Sequence, residues 1–168
     1  MPTPTYNLIQ QVTVSGVVTT SVSFTSIPST FDDLIIVCKG DNALNEAVLM
    51  RFNSDSGANY ERINSGAAAA SSNSAVTTAE TSTQLTSGDE SNNYIVFTTI
   101  FGYTDSNWRK SLTGQSFTEL GADNNTIRYF GGMWNDTSTI TTITFSTSTG
   151  TNFVAGTVFQ LYGIKGSN

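Results

Sequence analysis

The stretch TSTITTITFSTSTGTN, residues 137–152, sets Ile143 and Phe145 in alternation with threonine and serine, and runs with this two-residue period recur along the chain. Successive side chains of a β-strand point to opposite faces, so such alternation marks strands with one buried face. Threonine is β-branched and sits well on a pleated surface, whereas a helix restricts its side chain. Charged residues make up only 12% of the sequence, about half of the usual ~25%. Serine, threonine, asparagine and glycine supply the polarity instead, and helix formers in amphipathic spacing are hard to find. The expected fold class is all-β.

Alternation and short apolar runs, bounded by glycine, proline, asparagine and aspartate, place strands at 7–14, 20–26, 33–39, 47–53, 93–103, 108–119, 126–135, 138–146 and 154–164. Strands at this spacing suit an antiparallel β-sandwich of jelly-roll type. The segment IPSTFDD (27–33) fits a turn between sheets, because Pro28 removes a ladder donor and biases Ile27 to extended geometry. Leu34, Ile36, Val37, Met50, Phe52, Val96, Phe97, Phe130, Phe159 and Leu161 are expected to supply most of the core. The whole chain, 168 residues and 17.9 kDa, is the size of one domain and buries roughly two-thirds of its unfolded surface.

Residues 64–92, NSGAAAASSNSAVTTAETSTQLTSGDESN, contain no aromatic side chain and little bulk. By composition this is a long Ala/Ser/Thr-rich loop or arm. Residues 1–14 form an N-terminal arm or strand. Both segments are candidates for reaching neighbouring subunits.

The net charge of −6, with seven lysines and arginines scattered along the chain, leaves no basic face to neutralise phosphates. Nucleic acid and anionic membrane are not expected partners. The N-terminal MPTPTYNLIQQVTV lacks a basic and an apolar signal region, and no apolar run approaches the roughly 20 residues that span a bilayer. The chain is expected to be made in a cytoplasm and to stay soluble. Cys38, alone within LIIVC, reads as a buried small hydrophobe.

The run RFNSDSGANY (51–60) is rich in oxygen-bearing side chains. An EF-hand loop counted from Asn53 fails, because Gly57, Ala58 and Asn64 fall at positions five, six and twelve, where an oxygen ligand, glycine and glutamate are needed. A hairpin or surface turn accounts for the run better, with Asp55 left open as a cation ligand. No metal or cofactor is expected.

Histidine is absent, which removes the common general base and the common transition-metal ligand. Paired carboxylates for glycoside hydrolysis remain, drawn from Asp32, Asp33, Asp55, Glu61, Asp89, Glu90, Glu119, Asp123 and Asp136, but most fall in expected loops or at strand ends. The chain is therefore expected not to be an enzyme. Trp108, Tyr129 and Trp134, in NWRK and RYFGGMWN, are candidates for glycan stacking or an interface, against the alternative of core packing.

Three segments in order, SVSFTSIPSTFDDLIIVC (21–38), LMRFNSDSGANY (49–60) and FQLYGIKGSN (159–168), resemble a family of small structural proteins of tailed bacteriophages, particularly those infecting cyanobacteria and other aquatic bacteria. In that family an IPST-aromatic segment, an RFNxDxGxNY segment and a final LYGI strand recur in this order. The resemblance spans almost the whole chain except the Ala/Ser-rich insert. It implies a β-sandwich virion component, either a capsid decoration (cement) protein that binds and stabilises the major capsid protein shell or a tail or fibre component. A receptor- or glycan-binding module is a further alternative. Decoration proteins commonly sit at local three-fold positions, so a homotrimer on the capsid surface is expected, made in the bacterial host cytoplasm, with the major capsid protein and itself as partners. The family motifs mark fold elements and carry no catalytic residues.

Overall fold

The computed structural model describes residues 6–16, 19–41, 46–68, 71–86, 93–119 and 126–165. Among them twelve strands form and no helix: β1 (Tyr6–Thr13), β2 (Ser21–Phe24), β3 (Asp33–Gly40), β4 (Val48–Phe52), β5 (Tyr60–Ala68), β6 (Ser71–Glu80), β7 (Thr83–Gln84), β8 (Tyr94–Phe101), β9 (Lys110–Thr118), β10 (Thr126–Trp134), β11 (Ile143–Thr147) and β12 (Val158–Ile164). They make an eight-stranded sheet in the order β1-β12-β3-β8-β9-β10-β5-β6 and a four-stranded sheet in the order β2-β11-β4-β7. Every pairing is antiparallel, in the sandwich-like arrangement expected of alternating strands.

The chain passes between the sheets at every step from β1 to β5, again at β6–β7–β8, and again at β10–β11–β12. Strands β5, β6, β9 and β10 all join one side of the large sheet and widen it beyond its partner. A single hydrophobic cluster fills the space between the sheets. Its spine is aromatic: Phe145 of the small sheet lies 4.9 Å from Phe159 of the large one, and Phe52 lies 5.6 Å from Trp134, centroid to centroid. Rings at such spacing add about 0.5–1.5 kcal/mol per pair beyond the area they bury.

The alternation is read correctly in most strands, and two expected core residues point the other way. On β8, Tyr94, Val96, Thr98 and Ile100 are buried while Phe97 is 42% exposed; on β3, Val37 is only half-buried. Runs that are apolar on both faces hide which face is inward. Three strands also start later than expected. Residues 138–142 run irregularly before β11, a turn at 155–156 precedes β12, and β9 begins at Lys110.

The long loop expected at 64–92 is largely strand. Residues 60–68 and 71–80 form the β5–β6 hairpin at the sheet edge, and β7 follows with Thr83 and Leu85 buried. An edge hairpin needs backbone partners more than bulky side chains, so small β-tolerant residues suffice there. Residues 87–92 lie outside the described residues. The N-terminal arm is likewise a strand over Tyr6–Thr13, paired to β12 with a bulge between Leu8 and Gln10; residues 1–5 lie outside the described residues.

Candidate functional site

The run RFNSDSGANY builds a turn that ties the two sheets together. Leaving β4, the chain enters left-handed geometry at Asn53 and Ser54, with φ of 50° and 59°. Asn53 can hold this conformation because its side chain is fully used: Nδ2 donates to Thr139 O (2.8 Å) and Oδ1 accepts from the backbone N–H of Thr141 (2.9 Å) and Thr142 (3.2 Å). Asp55 is the hub. Its Oδ1 accepts from Gly57 N (2.8 Å), and its Oδ2 accepts from Asn59 Nδ2 (2.9 Å) and from the indole Nε1 of Trp134 (2.7 Å). Trp134 and then Asn59 hold the Asp55 carboxyl below its ordinary value, against the opposing effect of partial burial. Tyr60 completes the knot, accepting from Phe52 N (2.9 Å) and donating to Asp55 O (3.2 Å); burial raises its phenol to about 12.

This arrangement fits the turn reading of the run. Both carboxylate oxygens already accept N–H donors. Among the described residues no group of three or more cysteine, aspartate or glutamate side chains converges as a metal site would require.

The other two recurring segments meet each other. Tyr103 donates its hydroxyl to Pro28 O and accepts from Phe31 N (3.4 Å), Asp33 Oδ1 accepts from Gly102 N (2.8 Å), and Asp32 N donates to Ile164 O (2.8 Å). The Phe31 ring lies directly over Gly163 of LYGI, where any Cβ would collide with it. The residues that carry the family resemblance are thus turn and sheet fasteners.

Asp89, Glu90 and Asp123 lie outside the described residues, and among the described residues the carboxylates do not assemble an acid–base pair. Asp55, Glu61 and Asp136 surround Trp134, yet Glu61 Oε1 accepts from Asn135 Nδ2 (2.8 Å) and Asp136 Oδ1 from Ser138 N (2.7 Å). Ser138 holds the Asp136 carboxyl below its ordinary value. Buried Glu46 would be raised by burial, but donors from Ser148 and Thr149 outweigh that and lower it. A glycosidase acid needs a carboxyl raised toward neutrality, and each of these shifts runs the other way.

The three aromatic candidates part company. Trp134 is 1% exposed and stacks on Tyr60 with ring centroids 6.5 Å apart, so it is a core residue and has no free face. Trp108 is 73% exposed on the loop before β9. That loop is fixed from beneath by buried Lys110, whose Nζ donates to the carbonyls of Asp105, Trp108 (3.2 Å) and Thr137 (3.1 Å); burial lowers the ammonium below its ordinary value. Tyr129 is exposed on β10 and belongs to a larger surface.

That surface is the face of the large sheet turned away from the small one. Register defines its rows. Lys39, Ile95, Phe117 and Ile127 stand side by side on β3, β8, β9 and β10. Val37, Phe97, Gln115, Tyr129 and Ser65 form the next row, and Ile35, Thr99, Thr113, Gly131, Ile63 and Val76 the third. Asp33, Phe101, Ser111, Met133 and Glu61 form the last. Eight large apolar side chains in these rows are between 41% and 70% exposed, and Tyr6 and Leu8 continue the surface onto β1. Across all four rows the described charges are Lys39, Asp33 and Glu61. Strands covered on both faces read as near-continuous apolar runs, and YIVFTTIF of β8 has that character although the described residues cover only one face. Sequence reasoning singled out Tyr129 as a possible interface residue but assigned Val37 and Phe97 to the core, and so missed the surface as a whole.

No protein-family model, curated protein or solved structure matches the chain.

Proposed function

We propose that the chain is a structural component of a bacteriophage virion, a capsid decoration protein that binds the major capsid protein shell and itself and stabilises the particle. The observation that carries this reading is the uncovered apolar face of the large sheet. A monomer's largest apolar patch is typically a few hundred Å², and larger ones mark surfaces that meet another protein, a membrane or a ligand. The motif residues of the phage-protein resemblance support the reading as well, since they act as the fasteners of a rigid, weakly charged domain.

The finer fold assignment follows the same line. The orders β1-β12-β3-β8 and β2-β11-β4-β7 support reading these eight strands as the two sheets of a jelly roll, with β5–β6 inserted between its fourth and fifth strands and β9–β10 between its sixth and seventh. Jelly rolls recur in viral shells and in lectins, so the fold by itself does not choose between them.

The test is binding to heads assembled without this protein. Purified chain should co-sediment with them to saturation at a fixed number of copies per capsid subunit, and raise the temperature at which the heads open. Failure to bind heads, with binding to isolated tails, moves the protein to the tail component that is the second reading. Exposed Trp108 favours a third, glycan recognition, which a glycan array tests directly.

A further inference from the structure

We infer that the cleft beside Trp108 is a glycan subsite, which stacks a neutral hexopyranose on the indole and binds its hydroxyls through Asp105, Asn107 and Arg109. This rests on the glycan reading above, to which it gives a place, a set of residues and a sugar class, and it stands apart from the decoration reading.

The cleft lies where β8, β9 and β10 meet the β8–β9 loop. Phe101, Ser111 and Met133 stand side by side in its floor, about 10 Å across at 4.8 Å per strand. Loop residues 105–109 make its wall, and its volume is about 620 Å³, within the roughly 300–1,000 Å³ of small-molecule sites.

The wall is held in place before any ligand arrives. Gly102 takes φ of 53° and its carbonyl accepts from Asp105 N (3.0 Å), while Asp105 Oδ1 accepts from Asn107 N (2.8 Å). From beneath, Lys110 Nζ donates to the carbonyls of Asp105 and Trp108. A large aromatic ring that is 73% exposed on so fixed a loop is a preorganised platform, because the cost of ordering the loop is already met.

The polar groups around the platform are unused. Among the described residues the Asn107 and Arg109 side chains have no hydrogen-bond partner, and Arg109 has no ion pair. They differ in kind: the carboxylate of Asp105 accepts, the guanidinium of Arg109 donates, and the amide of Asn107 does both. A hydroxyl is donor and acceptor at once. A pyranose carries several around its edge and an apolar C–H face between them, so it matches an aromatic ring flanked by such groups. Other ligands leave part of the cleft unmatched. An apolar peptide or lipid would cover Asp105 and Arg109 and offer no hydrogen bonds in place of water. A polyanion would meet one arginine beside a carboxylate, on a chain of net charge −6. The same balance of one cation and one anion favours a neutral sugar over an acidic one.

Titration of the isolated chain with the methyl glycosides of galactose, glucose, mannose and N-acetylglucosamine, and with glucuronic acid, tests the site. Indole emission and saturation-transfer NMR supply the readouts. At least one neutral glycoside should bind with a Kd on the order of 1 mM and shift the exposed part of the emission to the blue. Trp108→Ala should weaken binding about tenfold or more, Trp108→Phe less, and Arg109→Ala about fivefold. Each should keep its urea midpoint, since both side chains are exposed. Glycoside binding that survives Trp108→Ala keeps the glycan reading and overturns this site. Glucuronic acid bound more tightly than every neutral glycoside, or no saturable binding of any at tens of millimolar, also overturns it. Binding to heads is scored separately: a chain that takes glycoside and ignores heads sinks the decoration reading alone, and one that binds heads and no glycoside sinks this inference alone.

Discussion

Replacing Asp55 by alanine should be among the most damaging single changes outside the apolar core. Three N–H groups lose their acceptor: Gly57 N, Asn59 Nδ2 and Trp134 Nε1. The first two lie at the surface, where water replaces the carboxylate at little cost. Trp134 is 1% exposed, and an unsatisfied buried donor costs about 1–3 kcal/mol, with bonds to a charged acceptor at the upper end. Loosening of the left-handed turn at Asn53 and Ser54 adds to this, so a total near 3 kcal/mol is expected. With a urea slope of about 2 kcal/mol/M, the unfolding midpoint should fall by about 1.5 M. Trp134→Phe removes the donor instead, and the double variant closes a cycle whose coupling should be about 1.5 kcal/mol or more. An Asp55→Ala midpoint within about 0.3 M of wild type, or strict additivity in the cycle, would refute the claim that this carboxylate fastens the sheets.

Four further outcomes are expected. Asp55 and Glu46 titrate below their ordinary values of 3.8 and 4.5 in the folded chain, so the unfolded chain takes up protons first. The stability they contribute is complete above about pH 5 and is lost as pH falls through 4, and Asp55→Asn should flatten that loss in acid melts. Calcium at millimolar concentration should leave the melting temperature unchanged, since the Asp55 oxygens already accept N–H donors; a rise of several degrees would favour Asp55 as a cation ligand. Cys38 is fully buried with its thiol pushed up and should resist thiol reagents until the chain unfolds. Acrylamide should quench Trp108 and spare Trp134, and Lys110→Met should free the Trp108 loop, read as lower fluorescence anisotropy.

Most of the fold was legible because alternation is a local signal: β3, β4, β8, β9 and β10 are placed within two residues of their expected limits. The direction of β8 was not, since YIVFTTIF is apolar on both faces and only tertiary structure decides that Val96 turns inward and Phe97 outward. The β5–β6 hairpin escaped because its small polar residues carry no period, its register coming from backbone bonds to β10. RFNSDSGANY could be read as a turn, yet the bond from Trp134 to Asp55 joins positions 79 apart and leaves no mark in the spacing. The outer face was hidden for the converse reason, since an apolar residue awaiting a partner molecule looks the same in sequence as one awaiting its own core.

The most direct test of the decoration claim is a density map of the particle at a resolution that traces strands. The account predicts the twelve-stranded domain on the outer surface of the head, in contact with the major capsid protein, with the outer face of its large sheet covered by protein. Density for this chain confined to the tail, or a domain on the head whose apolar sheet face looks into solvent, would contradict it.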